Sequence, residues 1–410
     1  MAQFQLSEEQ NGAFELLQSG ENVFLTGGAG SGKSYVIRAY RQFVDPKQTP
    51  ILASTGAAAV LVGGRTFHSF FGLGIMEGGP ELTLQRALKD GRVLRRISQV
   101  EGVIIDEISM IPASALQVAE EIARKARKSE LPWGGMRIIA VGDFAQLPPV
   151  TRGVSREWCF QSPIWQKTGF QSVVLTHNQR VEDKDFLNVL SEVRNGRVTK
   201  TVEDFLNSRL RTNDQNDKSM RLFPRRDQSE LFNQTELAML PFKEHHIDSI
   251  YIGESKHVEL IKKVSPIPER LTLKEGCRVM FVQNDPQKRW VNGTRGKIIE
   301  ISADKIRIEK DTGREVTCEK GMFSMQNAEG EVIASLINFP LVLAYATTIH
   351  KSQGATLDEL WVDLSHLWEP GHAYVALSRL KKAEGLKLLR WSKNSFKIDP
   401  EVYRFYQNIM

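Results

Sequence analysis

The stretch Thr26-Gly27-Gly28-Ala29-Gly30-Ser31-Gly32-Lys33-Ser34 satisfies the pattern G-x-x-x-x-G-K-[ST]. Before it runs Asn22-Val23-Phe24-Leu25, short and apolar like a buried strand; after it, Tyr35-Val36-Ile37-Arg38-Ala39-Tyr40-Arg41 reads as a helix. Strand, glycine turn and helix form the context in which this pattern cradles phosphate. The glycines let backbone N–H groups converge on phosphate oxygens, and the new helix adds the positive end of its dipole. This reading gives the cradle to Gly28, Ala29, Gly30, Ser31 and Gly32, the β/γ-phosphates to Lys33, and Mg²⁺ to Ser34. An ordinary glycine-rich turn would not account for both flanks.

Upstream, Ser7-Glu8-Glu9-Gln10 opens a helix that closes around Ser19-Gly20. Ser7 and Gln10 have capping-box spacing, which competes with a role for Gln10 in reading adenine; spacing alone does not choose. Downstream, residues 50–53 form a second strand pattern, followed by small residues over 54–61 and the segment Arg65-Thr66-Phe67-His68-Ser69-Phe70-Phe71. Residues 72–80 (GLGIMEGGP) hold four glycines and a proline, so a projecting loop is expected.

Glu101-Gly102-Val103-Ile104-Ile105-Asp106-Glu107 reads as a buried parallel strand that delivers two carboxylates to the carboxyl edge of a sheet. There Asp106 can hold the Mg²⁺ shell and Glu107 can orient or deprotonate an attacking water. Alone, a strand ending in Asp-Glu is more often a solvated turn; the phosphate loop upstream changes the balance. A third buried-strand pattern, residues 136–143, leads into Phe144-Ala145-Gln146-Leu147-Pro148-Pro149. Gln146 reaches the same edge and is placed to sense a γ-phosphate. The Pro148-Pro149 pair either faces a nucleic-acid strand or simply stiffens a turn.

At 410 residues the chain calls for two or three domains, and 41% hydrophobic with 25% charged residues is ordinary for a globular protein. No apolar run approaches a membrane span, and the opening MAQFQLSEE is no signal or transit peptide. Cys159, Cys277 and Cys318 lie far apart, which suggests neither a zinc site nor a disulfide framework and fits a reducing intracellular compartment. A net charge of +5 permits a polyanionic partner without demonstrating one. In the second half, residues 172–175 read as a strand and residues 184–194 as an amphipathic helix with Phe186, Leu187, Leu190 and Val193 inward. Short β-rich runs at 277–282, 294–301, 305–309 and 332–336 suggest a small all-β module. The α/β pattern is expected to resume at 341–343 and to continue through 359–363, a helix near 370–379, and 385–389.

Taken in order, these motifs resemble the PIF (petite integration frequency) family of superfamily-one helicases. The resemblance rests on residues 26–34, 103–110 (VIIDEISM), 131–150 (LPWGGMRIIAVGDFAQLPPV), 159–165 (CFQSPIW), 290–296 (WVNGTRG), 341–354 (LVLAYATTIHKSQG) and 374–379 (YVALSR). It implies an α/β fold of two RecA-like P-loop NTPase domains, with a small wedge loop in the first and an SH3-like β-rich insertion in the second. The expected division is a first domain at 1–170 with a wedge at 72–90, and a second at 171–268 and 340–410 interrupted by the insertion at 269–339. ATP would lie in the cleft between the domains, single-stranded DNA would cross both, and hydrolysis would drive movement 5′ to 3′ into duplex or forked DNA. A monomer acting in the cytoplasm, associated with the nucleoid in a bacterial or viral setting, is expected.

Carried over residue by residue, Gln10 resembles the adenine-reading glutamine, and Gly354 joins the nucleotide contacts. Arg379 resembles the arginine that reaches the γ-phosphate from the second domain, and Arg180 a second one, although Gln179-Arg180-Val181 stands where the family has Phe-Arg-Gln. A surface salt bridge is the alternative for either arginine. Thr55, Thr66, Phe67, His68 and Pro149 match first-domain DNA contacts, with a base expected to stack on Phe67. Thr348, His350 and Lys351 match second-domain contacts, and Arg278, Asn292 and Arg295 fall to the insertion. For His68 and His350 a buried, hydrogen-bonded histidine is the alternative. Two other readings compete: an ATP-gated nucleic-acid-binding switch that does not unwind, and a RecD-like helicase subunit, against which residues 131–150 argue. RNA as the track is a third.

Overall fold

The computed structural model describes residues 4–54, 65–74, 76, 78–149, 157–212, 217, 219–326 and 332–409. Six parallel strands build the first sheet: β1 (Val23–Gly27), β2 (Ile51–Ala53), β3 (Arg65–Thr66), β4 (Gly102–Ile105), β5 (Arg137–Val141) and β6 (Gln171–Leu175), in the order β3-β2-β4-β5-β1-β6. β1 and β4 are buried along their whole length, as expected of parallel strands covered on both faces. Because β4, β5 and β1 are neighbours, the loops after them share one sheet edge. Those loops carry Asp106 and Glu107, Gln146, and the glycine loop respectively.

Two boundaries differ from expectation. Residues 171–175 do not open the second domain: they pair with β1, from Val23 against Gln171 to Gly27 against Leu175. Nor do residues 340–410 belong wholly to the second domain. The helix Pro400–Ile409 returns to the first, where Val402 and Tyr406 join the core of Phe24, Phe144, Trp158 and Trp165, and Phe405 stacks on Phe160 at 4.4 Å. Val402, Phe405, Tyr406 and Ile409 of this helix all pack into that core.

Residues 79–89 depart from a simple projecting loop. Phe71 and Leu73 turn into the core, and a helix, Gly79–Lys89, starts at Gly79 with proline in its first turn. With the helix Gly91–Gln99 it packs against the helix Ala113–Arg127.

The second domain is a four-stranded parallel sheet in the order Ala346–Thr348, Met220–Phe223, Leu360–Leu364, Leu386–Trp391. Its core takes in Phe186, Leu190, Val193, Val362 and Leu377, and also Ala29 and Leu147 from the first domain. The β module is antiparallel, with Glu315–Glu319, Lys305–Lys310, Arg295–Ile301, Arg278–Phe281 and Leu341–Leu343 in sequence across it. Leu341–Leu343 therefore closes the module instead of resuming the α/β pattern, which restarts at Ala346. The module also recruits residues before 269, since Ile250–Gly253 pairs with Val332–Asn338 and His245–Asp248 with Arg270–Leu273.

Candidate nucleotide site and DNA-contact residues

The glycine loop adopts backbone that side chains resist: Gly27, Gly30 and Gly32 have φ of 146°, 84° and 93°. A Cβ on Gly32 would lie 2.3 Å from Gln10 Nε2. Gln10 closes the expected capping box with Ser7, and its Nε2 donates to Ser31 O at 3.4 Å, so one amide caps a helix and braces the loop. Lys33 Nζ donates to Gly27 O at 2.8 Å and Gly28 O at 3.1 Å. Burial pushes its ammonium down in pKa, against the pull of Asp143, Glu107 and Asp106. Ser31 Oγ is buried without a hydrogen-bond partner. A narrow, amide-lined turn beside a lysine and an unpaired hydroxyl suits the phosphates of ATP.

Glu107 sits in left-handed backbone, φ 52° and ψ 50°, a strained position for a residue with a side chain. Burial and the neighbouring Asp106 raise its carboxyl's pKa, and burial raises that of Asp106. Asp106 and the Ser34 hydroxyl offer the hard oxygen donors that Mg²⁺ prefers, and the metal's charge would oppose the burial that disfavours the Asp106 carboxylate. Gln146, also buried, follows within the turn that begins at Asp143.

The segment after β6 closes on this edge. Asn178 Nδ2 donates to Ala29 O at 2.8 Å, and Gln179 N donates to Gly30 O at 2.8 Å. Between these anchors and the last motif, Arg180 Nη1 donates to Ser378 O at 2.5 Å. Arg379 is 1% exposed, its Nε donating to Val375 O at 2.9 Å and its Nη2 to Ser378 Oγ at 2.9 Å. Burial, then the charge of Arg180, pushes its guanidinium down to about 10. Both arginines therefore meet at Ser378, Arg379 buried and Arg180 half-buried.

Several residues absent from the sequence assignment complete the cleft. Gln353 Nε2, next to Gly354, donates to Glu107 Oε2 at 3.0 Å, and the Ala29 N–H donates to the Tyr374 hydroxyl at 2.8 Å. Asp143, fully buried, accepts from Arg194 Nη2 at 2.8 Å and from the Tyr406 hydroxyl at 2.9 Å. The same Tyr406 oxygen lies 2.9 Å from Thr26 Oγ1. Gln353 and Tyr374 stand inside quoted motifs, which was a usable signal. Arg194 and Tyr406 stand in ordinary helical patterns.

The expected DNA contacts divide. Thr55 lies outside the described residues. Phe67 corrects the sequence reading: it is 0% exposed, packed against Phe71 at 4.9 Å between ring centres, and offers no face on which a base can stack. Thr66 caps the short helix after it, Oγ1 accepting from Ser69 N at 3.0 Å. His68 is partly exposed, while Pro149 is buried. Thr348 is buried too, its Oγ1 accepting from Lys351 N at 3.1 Å; His350 is half-buried and Lys351 exposed. In the module Asn292 is exposed, whereas Arg278 and Arg295 both pair with Asp311, at 2.7 and 3.2 Å.

A family model described as PIF1-like helicase matches residues 5–204. A Bdellovibrio bacteriovorus protein named ATP-dependent DNA helicase Pif1 is 61% identical over 405 residues, covering 99% of this chain and 92% of that protein. The chain belongs to the PIF1-like helicase family. The Danio rerio protein named ATP-dependent DNA helicase PIF1 is 37% identical over 98% of this chain and 64% of its own length. Among solved family structures, Bacteroides Pif1 in complex with ADP-AlF4 superposes with a TM-score of 0.86 at 29% identity, covering 99% of this chain and 97% of that one. The same Bacteroides protein bound to single-stranded DNA gives 0.70. The two parallel-sheet lobes are thus the paired RecA-like domains of this helicase family.

Proposed function

We propose that this chain is an ATP-driven, Mg²⁺-dependent DNA helicase that moves 5′ to 3′ along single-stranded DNA and opens duplex and forked DNA as a monomer inside the cell. The supporting observation is the set of contacts across one cleft: Gln353 on Glu107, Tyr374 on the Ala29 amide, and Arg180 beside Gly30 with its guanidinium on Ser378 O, next to Arg379. Lys33 would bind the β/γ-phosphates while the glycines hold the backbone amides toward them. Ser34 and Asp106 would hold Mg²⁺, which supplies charge neutralisation between the phosphates. Glu107, whose burial strengthens it as a base, would orient and deprotonate the attacking water. Gln146 would report the γ-phosphate to the loop ending at Pro149. Arg180 and Arg379 would stabilise charge on the departing phosphate, an arrangement that contributes on the order of 10³–10⁵ in rate. Contacts from both domains to one phosphate make its loss a signal for the cleft to relax, and alternate grip and release along a strand gives movement. No helix among the described residues is long and apolar enough to cross a membrane.

The deciding experiment compares ATP hydrolysis with and without single-stranded DNA, then unwinding of duplexes carrying a 5′ or a 3′ tail. DNA-stimulated turnover and unwinding from the 5′ tail alone are expected. Unwinding only from the 3′ tail refutes the polarity, and stimulated hydrolysis without unwinding establishes the switch instead.

A further inference from the structure

One amide of the phosphate loop already has an acceptor, and that acceptor comes from the other domain. The Ala29 N–H donates to the Tyr374 hydroxyl at 2.8 Å, joining residues 345 positions apart. Tyr374 lies in the helix His372–Leu377, in which every residue is buried, so its ring is held in place. The approach depends on Gly28, where a Cβ would lie 3.2 Å from the hydroxyl oxygen. Loops of this kind bind phosphate by donating such amides to its oxygens, and a phenolic oxygen is an acceptor of the same sort. The second domain also lays Gln353 Nε2 on Glu107, and the segment after β6 lays Asn178 Nδ2 on Ala29 O. Arg379, five residues beyond Tyr374, is tied back to this helix through Val375 O.

We propose that Tyr374 is a nucleotide-displaced latch: its hydroxyl stands in for a phosphate oxygen on the Ala29 amide, and the phosphates of bound nucleotide take that amide from it. Displacement removes this tie between the phosphate loop and the helix 372–377, to which Arg379 is bound through Val375 O. The exchange swaps one hydrogen bond for another, so it costs little and reverses easily. This inference rests on the reading of the loop as an ATP site and assigns Tyr374 a positioning role, in which it competes with nucleotide.

The test uses the full chain without DNA, wild type and Tyr374→Phe, with a fluorescent N-methylanthraniloyl ADP in stopped flow. The variant keeps the ring and loses only the competing oxygen. It should bind this nucleotide about two- to tenfold more tightly, the worth of one net hydrogen bond, with the gain in association and the dissociation rate unchanged. Unchanged affinity overturns the latch, and so does weaker binding with faster dissociation, which would mean that the hydroxyl contacts bound nucleotide. Amide exchange in the wild type gives a check that needs no variant. Ala29 should be protected without nucleotide, and unprotected exchange there overturns the proposal. A wild type that binds no ADP brings down the ATP-site reading and the latch together, whereas equal binding by both proteins brings down the latch alone.

Discussion

Replacing Arg194 by alanine should destabilise the protein by about 3–5 kcal/mol, the cost of leaving one partner of a buried ion pair alone. In the structure Arg194 Nη2 lies 2.8 Å and Nε 3.3 Å from the two oxygens of Asp143, whose side chain is 0% exposed, and the guanidinium lies 4.5 Å from the centre of the Tyr406 ring. After the substitution, Asp143 keeps the Tyr406 hydroxyl and Ala145 N as donors but loses its only neutralising ion pair among the described residues. Burial pushes the Asp143 carboxyl up, yet Arg194, helped by Lys33 and the Tyr406 hydroxyl, outweighs it and holds the group below its ordinary 3.8. The pair therefore stabilises the fold above about pH 4, and that stability is lost as pH falls through the depressed value. In Arg194→Ala the carboxyl's pKa rises, so its contribution shrinks, and the gap to wild type narrows toward pH 4. Equilibrium urea unfolding, followed through the fluorescence of the seven tryptophans, reads both effects. A loss below about 1 kcal/mol, or a gap that does not change with pH, refutes the reasoning. So does a double variant, Arg194→Met with Asp143→Leu, that is no more stable than the single one.

Arg379→Ala should lower turnover by a factor on the order of 10³ or more while ATP affinity changes far less; equal losses in steady-state and binding measurements would make it a ground-state contact. Phe67→Ala should cost about 3–5 kcal/mol as a core cavity, seen as a lowered melting temperature; an unchanged melting temperature would return Phe67 to the surface. Burial, then the neighbouring His350, pushes the His372 imidazole from 6.5 down to about 3. Its contribution is complete above about 6.5 and is lost as pH falls toward 3, so His372→Phe should flatten the acid limb of melting temperature against pH, and a parallel limb refutes the assignment.

The strands that carry the chemistry were legible for a physical reason. A strand buried on both faces writes an unbroken apolar run, so Val103–Ile105 and Ile138–Val141 announce themselves, and the polar residues that follow them fall at the sheet edge. Pairing direction leaves no such mark: three apolar residues at 341–343 read equally well in a parallel sheet or at an antiparallel edge. Phe67 misleads because its neighbours are polar, while its burial comes from Phe71 and the core beneath, which local pattern does not reveal. The links from Arg194 to Asp143 and from Tyr406 to Thr26 span 51 and 380 positions, and each member sits in an unremarkable stretch. Gln10 shows a different limit, since two local readings compete on paper while one side chain both caps the helix and braces the loop.

The helix Pro400–Ile409 has a consequence for biosynthesis. Phe24, Phe144 and Trp165 lie among the first 165 residues, but Phe405 and Tyr406 complete their enclosure. At about 5–20 residues per second, the ribosome needs on the order of 12–48 s to travel from Trp165 to Tyr406. Throughout that interval the nascent first domain must carry an open aromatic face while the second domain and the β module emerge behind it. The helix that covers this face follows it by more than 200 residues of the same chain.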